Sequence, residues 1–523
     1  MVLTAHPGGV CAQDDPGAPE QSSGEQGQSF DVWEYQVAGN TLLDTKHIEH
    51  TVYPYLGPDK TIEDVEAARA ALETLYRNSG YPTVLVDIPE QSVTGGLVKL
   101  LVTEGSIDRV RITGSRYFSL GRIRARVPAL ARGEVPYLPD LQEQLAQLNQ
   151  ITPDRAITPV LKPGRTPGTV EVELKVKDQL PLHGSIEVND RNSIDTSRTR
   201  VSATLSYDNL WQKEHSLSVF FQTAPENSDE SRVWTGTYVM RLDNSNNILV
   251  LYAVDSASDV ATAGTLAVIG SGNIYGTRFI MPLGRYRGYF HSLTLGVDYK
   301  DFDETVELIG ADTLDTPIKY INFSTQYKGT WSTEQARTSF GVNANFGVRG
   351  LVNDEDDFDD KRFRSKANYL YLVGDFSRTQ RFGNGIELFA TLQGQLSDSA
   401  LISNEQYSAG GVLSVRGYHE SEALGDDAIR AGLELRSPPL IKYLPKGISQ
   451  FYFLTFIEGA KLYLQDALPD QKNEFELAGT GFGLHLAAFS GWTAYLDFAR
   501  ALQTSSTVDS GDMRAHFKIE YGF

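Results

Sequence analysis

Few residues in this chain stand in a pattern that could do chemistry. Arg416 lies in Val415-Arg416-Gly417-Tyr418, within the long connection Ser397–Asp426. A guanidinium is permanently charged and presents a planar fork of donors, so inside a folded interior it needs a carboxylate partner. In an open loop it would simply stay in solvent, and the tetrad alone admits both readings. The run Asp354-Glu355-Asp356-Asp357-Phe358-Asp359-Asp360 offers carboxylates for Ca²⁺, but it lacks the EF-hand spacing, and a solvated acidic loop is the simpler account. Nine histidines are scattered without HExxH, and there is neither GxSxG nor a Gly-rich phosphate loop. No catalytic residue, metal ligand or cofactor is therefore assigned. Between Arg109 and Arg132 lie seven arginines and no acidic residue. This stripe suits an acidic client or lipid headgroups, and equally a plain solvated face.

Composition narrows the setting. A chain of 523 residues with formal net charge −20 does not suit nucleic acid as main partner, since that surface wants a basic patch. A single cysteine, Cys11, leaves no internal disulfide framework and no Cys-based metal centre. Its surroundings, Gly9-Val10-Cys11-Ala12, match a lipoprotein cleavage box poorly. No run of about 20 apolar residues is present for a membrane helix, but a membrane strand needs only about 9–11 residues with alternating faces. Residues 1–29 are rich in Gly, Pro, Gln and Ser and read as a flexible lead-in. They hold no apolar stretch of about 7–15 residues that would serve as a secretory signal.

The elements that would carry these residues fall into two kinds. From Phe30 to Asp178 a diverged repeat runs twice. Val37-Ala38-Gly39-Asn40 is echoed by Ile112-Thr113-Gly114-Ser115, each closing a short strand at a Gly-containing turn. Val65, Ala68, Leu72 and Leu75 in the first copy, and Leu138, Leu141, Leu145 and Leu148 in the second, recur at helical steps. One apolar stripe per helix covers one face of a small sheet. Two strands close each copy, giving β-α-α-β-β twice, over 30–105 and 106–178. Such a sheet leaves a strand edge open for an incoming extended segment, and Tyr81, Val84 and Val86 are the candidate partner-binding residues. Two solvated spacer domains would carry the same pattern.

From residue 179 to the C-terminus the period changes to two. Val201, Ala203, Leu205 and Tyr207 alternate with polar residues, as do Phe340, Val342, Ala344, Phe346 and Val348. The last strand alternates Phe517, Ile519, Tyr521 and Phe523 against His516, Lys518, Glu520 and Gly522. One face apolar and the other polar or tiny is the mark of a wall with lipid outside and water inside. Sixteen such segments are read, the sixth centred near residue 268. Longer connections follow odd-numbered strands and shorter ones several even-numbered strands. That places the long loops outward and the helical domains and C-terminus on the periplasmic side. A soluble β-sandwich fits sixteen aromatic-faced strands and a terminal Phe poorly.

With tetrad, repeat and barrel in place, the chain from about Phe30 to Phe523 resembles a known family. It is similar to the outer-membrane transporters of two-partner secretion, the haemolysin secretion/activation proteins, with two POTRA domains and a sixteen-stranded transmembrane barrel. Tyr207-Asp208-Asn209-Leu210-Trp211 also looks like the family's turn after the second strand. The resemblance implies that the tetrad arginine reaches an acidic residue of a Phe-x-Asp-x-Gly motif on the inner wall of the thirteenth strand. The matching stretch is Phe456-Ile457-Glu458-Gly459-Ala460, with Glu458 where Asp is usual and Ala460 where a glycine would permit close approach. Val415, Arg416, Gly417, Tyr418 and Glu458 are accordingly the expected loop-six anchoring and gating residues. The resemblance further implies a large secreted exoprotein as partner, of adhesin, cytolysin or toxin type, captured by POTRA domains in the periplasm. It also implies outer-membrane lipids around the barrel and the barrel assembly machinery during biogenesis. An N-terminal plug helix, frequent in the family, is not read in residues 1–29. The alternative within the same superfamily is an outer-membrane protein assembly or insertion factor, which usually carries three or more periplasmic repeats.

Overall fold

The computed structural model describes residues 29–523 except 195, 244, 259, 264, 265, 287, 304, 308–312, 442, 443 and 470. Residues 1–28, with Cys11 and nearly all of the lead-in, lie outside the described residues. The chain divides into two units. The first runs to Asp178, and the second comprises Gln179–Phe523 together with Tyr117–Ser119.

The first unit holds β1 (Phe30–Val32), β2 (Glu34–Ala38), α1 (Thr45–Val52), β3 (Gly57–Lys60), α2 (Ile62–Asn78), β4 (Val84–Asp87) and β5 (Leu97–Glu104). It continues with β6 (Ser106–Thr113), α3 (Leu120–Ala125), α4 (Leu138–Gln150), β7 (Arg155–Pro163) and β8 (Thr169–Asp178). The two three-stranded sheets have equivalent orders, β2-β5-β4 and β6-β8-β7. In each, the outer first strand runs parallel to the centre and the hairpin partner antiparallel. The repeat is therefore βααββ twice, with the β1–β3 pair added to the first copy.

Helix α2 forms because its apolar residues recur on one face and its start is capped. The Thr61 N–H donates to the Asp64 carboxylate at 2.9 Å, and acidic Glu63 and Asp64 sit in the first turn, where the helix dipole favours them. Val65, Ala68, Leu72 and Tyr76 are buried; Leu72 and Tyr76 pack with Val84, Val86, Leu100 and Val102, and Val65 packs with Val32 and Val98. A fully buried aliphatic of this size contributes roughly 1.5–3 kcal/mol. In the second copy α4 buries Leu141, Leu145 and Leu148. The two turn glycines are equivalent in structure as well as in sequence. Gly39 and Gly114 have φ of +87° and +85°, and a Cβ on them would lie 2.2 and 2.3 Å from the carbonyl oxygens of Val102 and Val176.

The second unit is a closed barrel of sixteen strands, each antiparallel to the next, with the last returning to the first. Fifteen of the strands contain the segment centres expected from the alternation. The sixth does not. Leu266–Ile269 pairs with Val260–Ala263 as a separate two-stranded ribbon, and barrel strand 6 is Gly272–Tyr286. Glycines and Pro282 interrupt its apolar pattern, with a register shift between Pro282 and Gly284, so the denser apolar run nearby looked more strand-like. The connection after strand 6 is then short, with strand 7 starting at Tyr289.

Leu205, Val342 and Ile519 point outward, at 54, 51 and 46% exposure, while Ser202, Asn345 and His516 of the same strands are buried inside. Trp331 and Trp492, both near one rim, are exposed on the outer face, as in the aromatic girdle of a membrane barrel. At the closing seam Phe523 lies over Gly184, where a Cβ would come within 2.4 Å of its ring. The inner wall is not uniformly polar. Val233, Val254 and Ile274 are buried beside Phe302, Tyr320 and Tyr371, which departs from the expected wet lumen. The reason is that folded connections, not water, cover them there.

Candidate functional site

Loop six joins barrel strand 11 (Glu387–Ser397) to strand 12 (Asp427–Arg436). It turns inward as a short hairpin, Tyr407–Ala409 against Ala423–Gly425, and the tetrad is carried within that hairpin. Gly417 has φ +104°, with Ala501 N 3.2 Å from where a Cβ would stand, so the tetrad needs glycine for both conformation and space.

Arg416 ends among three carboxylates from three strands. Its Nη2 lies 2.8 Å from Glu458 Oε1 on strand 13 (Ile448–Tyr463), and its Nε 3.2 Å from Glu458 Oε2. The backbone N–H of Arg416 donates to the same Oε2 at 2.9 Å. Nη2 also meets Glu434 Oε2 of strand 12 at 3.0 Å, and Nη1 meets Asp497 Oδ2 of strand 15 (Trp492–Ala501) at 2.9 Å. The guanidinium carbon stands 3.4 Å from the centre of the Phe456 ring, a cation–π contact. The arginine side chain is 6% exposed, and its three acidic partners 6–10%. The surplus negative charge is shared outward, since Arg436 Nε binds Glu434 at 2.7 Å and His485 Nε2 lies 3.3 Å from Asp497. Charge-assisted hydrogen bonds in such a dry setting are strong, and any one partner left alone is costly.

The rest of the tetrad is equally fixed. Val415 and Tyr418 are fully buried in an apolar cluster with Leu462, Leu477 and Ala460. The Tyr418 hydroxyl is 2.7 Å from the Gln503 carbonyl, to which it donates. Gly417 donates its N–H to His516 Nε2 at 3.1 Å, and His516 Nδ1 faces Asp190 Oδ2 at 3.3 Å. Those partners place the imidazole proton on Nδ1.

Close approach of the loop to the wall occurs at Gly479 of strand 14 (Glu474–Ala488), where a Cβ would lie 2.1 Å from the Arg416 carbonyl oxygen. Ala460 instead lends its methyl to the cluster beneath Val415 and Tyr418. Sequence reasoning missed Gly479, Glu434, Asp497 and His516. The signal available was parity, because all four fall on inward-facing positions of their strands.

The candidate docking residues sit differently. Val84 and Val86 point into the core of the first copy, so their side chains offer no surface. Tyr81 packs its ring against Tyr137 at 5.2 Å. What β4 presents is a sheet edge with exposed Leu85, and Arg69 already covers the Val86 carbonyl at 3.3 Å. The edge strand on the opposite side is β2. The acidic run forms helix α5 (Glu355–Lys361), capped by the Asp354 side chain accepting from Asp356 N. Asp356, Asp357, Asp359 and Asp360 face solvent while Phe358 is buried.

Residues 30–105 match the family profile described as POTRA domain, ShlB-type, and residues 168–486 match that of haemolysin secretion/activation protein ShlB/FhaC/HecB. The outer membrane transporter CdiB of Dickeya dadantii is 23% identical over 436 residues, covering 77% of this chain and 71% of that protein. The heme/hemopexin transporter protein HuxB of Haemophilus influenzae is 18% identical over 513 residues, 96% of this chain and 89% of the other. The solved structure of CdiB from Escherichia coli shares the fold, with TM-score 0.63 at 19% identity over 97% of this chain and 93% of that one.

Proposed function

The chain belongs to the haemolysin secretion/activation family (ShlB/FhaC/HecB), and from that premise we propose how its parts divide the work of two-partner secretion. It is an outer-membrane transporter with POTRA domains in the periplasm, and it moves a secreted exoprotein through its barrel. We assign the two POTRA domains to 30–105 and 106–178 and the barrel to 179–523. The partner is a large exoprotein of adhesin, cytolysin or toxin type. The POTRA sheets take up an extended segment of it by edge pairing, at β2 or β4, through backbone hydrogen bonds. The buried valines of β4 act by holding that strand flat rather than by touching the client. Outer-membrane lipid surrounds the apolar wall, and the barrel assembly machinery inserts it.

Loop six is the element that transport has to accommodate. The observation that carries this reading is the Arg416 clamp, one guanidinium in a dry site with Glu458, Glu434 and Asp497. A clamp of that kind gives the loop a definite seated state inside the lumen, and a polypeptide passing through has to work around or unseat it. Arg416→Ala is expected to impair secretion while the barrel still assembles. Normal secretion by that variant would remove loop six from the mechanism.

A further inference from the structure

Loop six is held a second time, away from Arg416. The Glu405 side chain is 1% exposed. It pairs with Lys300 Nζ and accepts from the hydroxyls of Tyr320 at 2.5 Å and Tyr371 at 2.7 Å. These three stand on barrel strands 7 (Tyr289–Phe302), 8 (Ile318–Ser332) and 10 (Leu370–Arg381), whereas the Arg416 clamp uses strands 12, 13 and 15. At the end of the loop Asp426, with 0% exposure, is gripped by both terminal nitrogens of Arg362, one at 2.7 Å. Arg362 comes from the connection 348–369. Asp426 also accepts the N–H of Leu401 at 3.0 Å and of Gln465 at 2.7 Å.

Between these two latches lies an apolar layer. Phe358, next to Arg362 in the same connection, is 1% exposed and packs with Tyr320 and Tyr369, in one cluster with Leu401 and Ile402 of loop six. The wall beneath it is the apolar Val233, Val254 and Ile274. All of these wall residues sit at the rim that carries the long, outward connections. Inward-facing aliphatics on a lumen wall make sense only where something dry rests on them, since water gains nothing from such a surface.

We propose that connection 348–369 and the first part of loop six form an outer gate, distinct from the Arg416 clamp and latched by Arg362–Asp426 and by Glu405 with Lys300. The gate closes the extracellular mouth on the side of strands 4 to 10, and it parts to release an extended polypeptide. Phe358 is its bolt, placed by α5, and the solvent-facing acidic side chains of that helix keep the helix at the water surface while the ring turns inward.

The proposal rests on loop six belonging to the transport path, and its test is kept independent of any exoprotein. The full chain is reconstituted in planar lipid bilayers, and spontaneous channel openings are counted for wild type, Arg362→Ala, Phe358→Ala and Glu405→Gln. Losing a latch is expected to raise the frequency of openings at least about tenfold, the equivalent of about 1.4 kcal/mol of closed-state preference. Arg362→Lys, which keeps the charge but not the two-point grip, is expected to fall between wild type and alanine. Retained folding is read from the mobility of the unheated protein on a gel. Phe358, Arg362 and Glu405 all lie in connections and not in barrel strands, and Phe358→Ala, which leaves no charge unpaired, reports even if a latch variant fails to assemble. Folded variants as quiet as wild type would overturn the gate. That outcome would leave the secretion reading standing, and a secretion failure would leave the currents interpretable.

Discussion

Replacing Arg416 with alanine isolates what the clamp contributes. The side chain binds Glu458, Glu434 and Asp497 and stacks on Phe456, so truncation leaves three carboxylates facing each other almost out of water. Removing one partner from a buried ion pair costs about 3–5 kcal/mol. Arg436 still binds Glu434 and His485 still neighbours Asp497, which favours the lower end, about 3 kcal/mol. Borne by the seated loop, that shifts the unseating equilibrium by roughly a hundredfold. Amide hydrogen exchange reads it directly. The N–H groups of Arg416 and Gly417 are held by Glu458 at 2.9 Å and His516 at 3.1 Å, and they exchange when the loop leaves its seat. Their protection is expected to fall by about two orders of magnitude, while strand amides of the barrel keep theirs. Arg416→Lys is expected to lie between, because a compact ammonium cannot serve three carboxylates and a ring at once. Unchanged protection in a folded Arg416→Ala barrel would refute the reasoning.

Other consequences follow from single positions. Gly479→Ala puts a methyl 2.1 Å from the Arg416 carbonyl and is expected to unseat loop six and reduce secretion. Ala460→Gly only thins the packing under Val415 and should cost about 1 kcal/mol or less; equal secretion by the two variants would contradict the placement of the close approach. Val342→Arg, on the outer face, is expected to destabilise the folded barrel by about 2–4 kcal/mol in denaturant titrations in lipid, whereas inward Asn343→Arg should be nearly neutral. Burial pushes the Tyr76 hydroxyl up to about 12, with the Glu104 charge adding to it. A raised folded value means its contribution is complete below the ordinary value near 10 and is lost as pH rises through about 12, so thermal stability of the POTRA unit should decline over that window. Tyr76→Phe, which removes a buried hydroxyl with no hydrogen-bond partner among the described residues, should blunt the decline and leave neutral-pH stability equal or slightly higher.

Much of this architecture is visible in the sequence because its two periodicities are enforced by different solvents. Lipid demands an apolar residue at every second position, as at Leu205 or Val342, and the small POTRA cores demand helical stripes such as Val65, Ala68 and Leu72. Strand 6 escaped that logic because its glycines and Pro282 weaken the alternation while a ribbon of the adjoining connection imitates it. The partners of Arg416 were partly hidden for another reason. Glu458 stood in a recognisable motif, but Glu434 and Asp497 are inward carboxylates among many, and only barrel closure brings their strands together around one guanidinium. The acidic run showed its charge and concealed its ring. Phe358 reads as one aromatic among six acids until the helix turns it inward. Val233, Val254 and Ile274 look like ordinary strand residues, and their meaning appears only when loops are found lying on them.

The account stands or falls on secretion of the large exoprotein proposed as this chain's partner, compared in cells with and without this chain. It predicts that this product alone fails to reach the medium or the cell surface when the chain is absent, while other outer-membrane proteins keep their abundance. Normal secretion of the exoprotein alongside a broad decline of outer-membrane proteins would contradict it and point to an assembly factor instead.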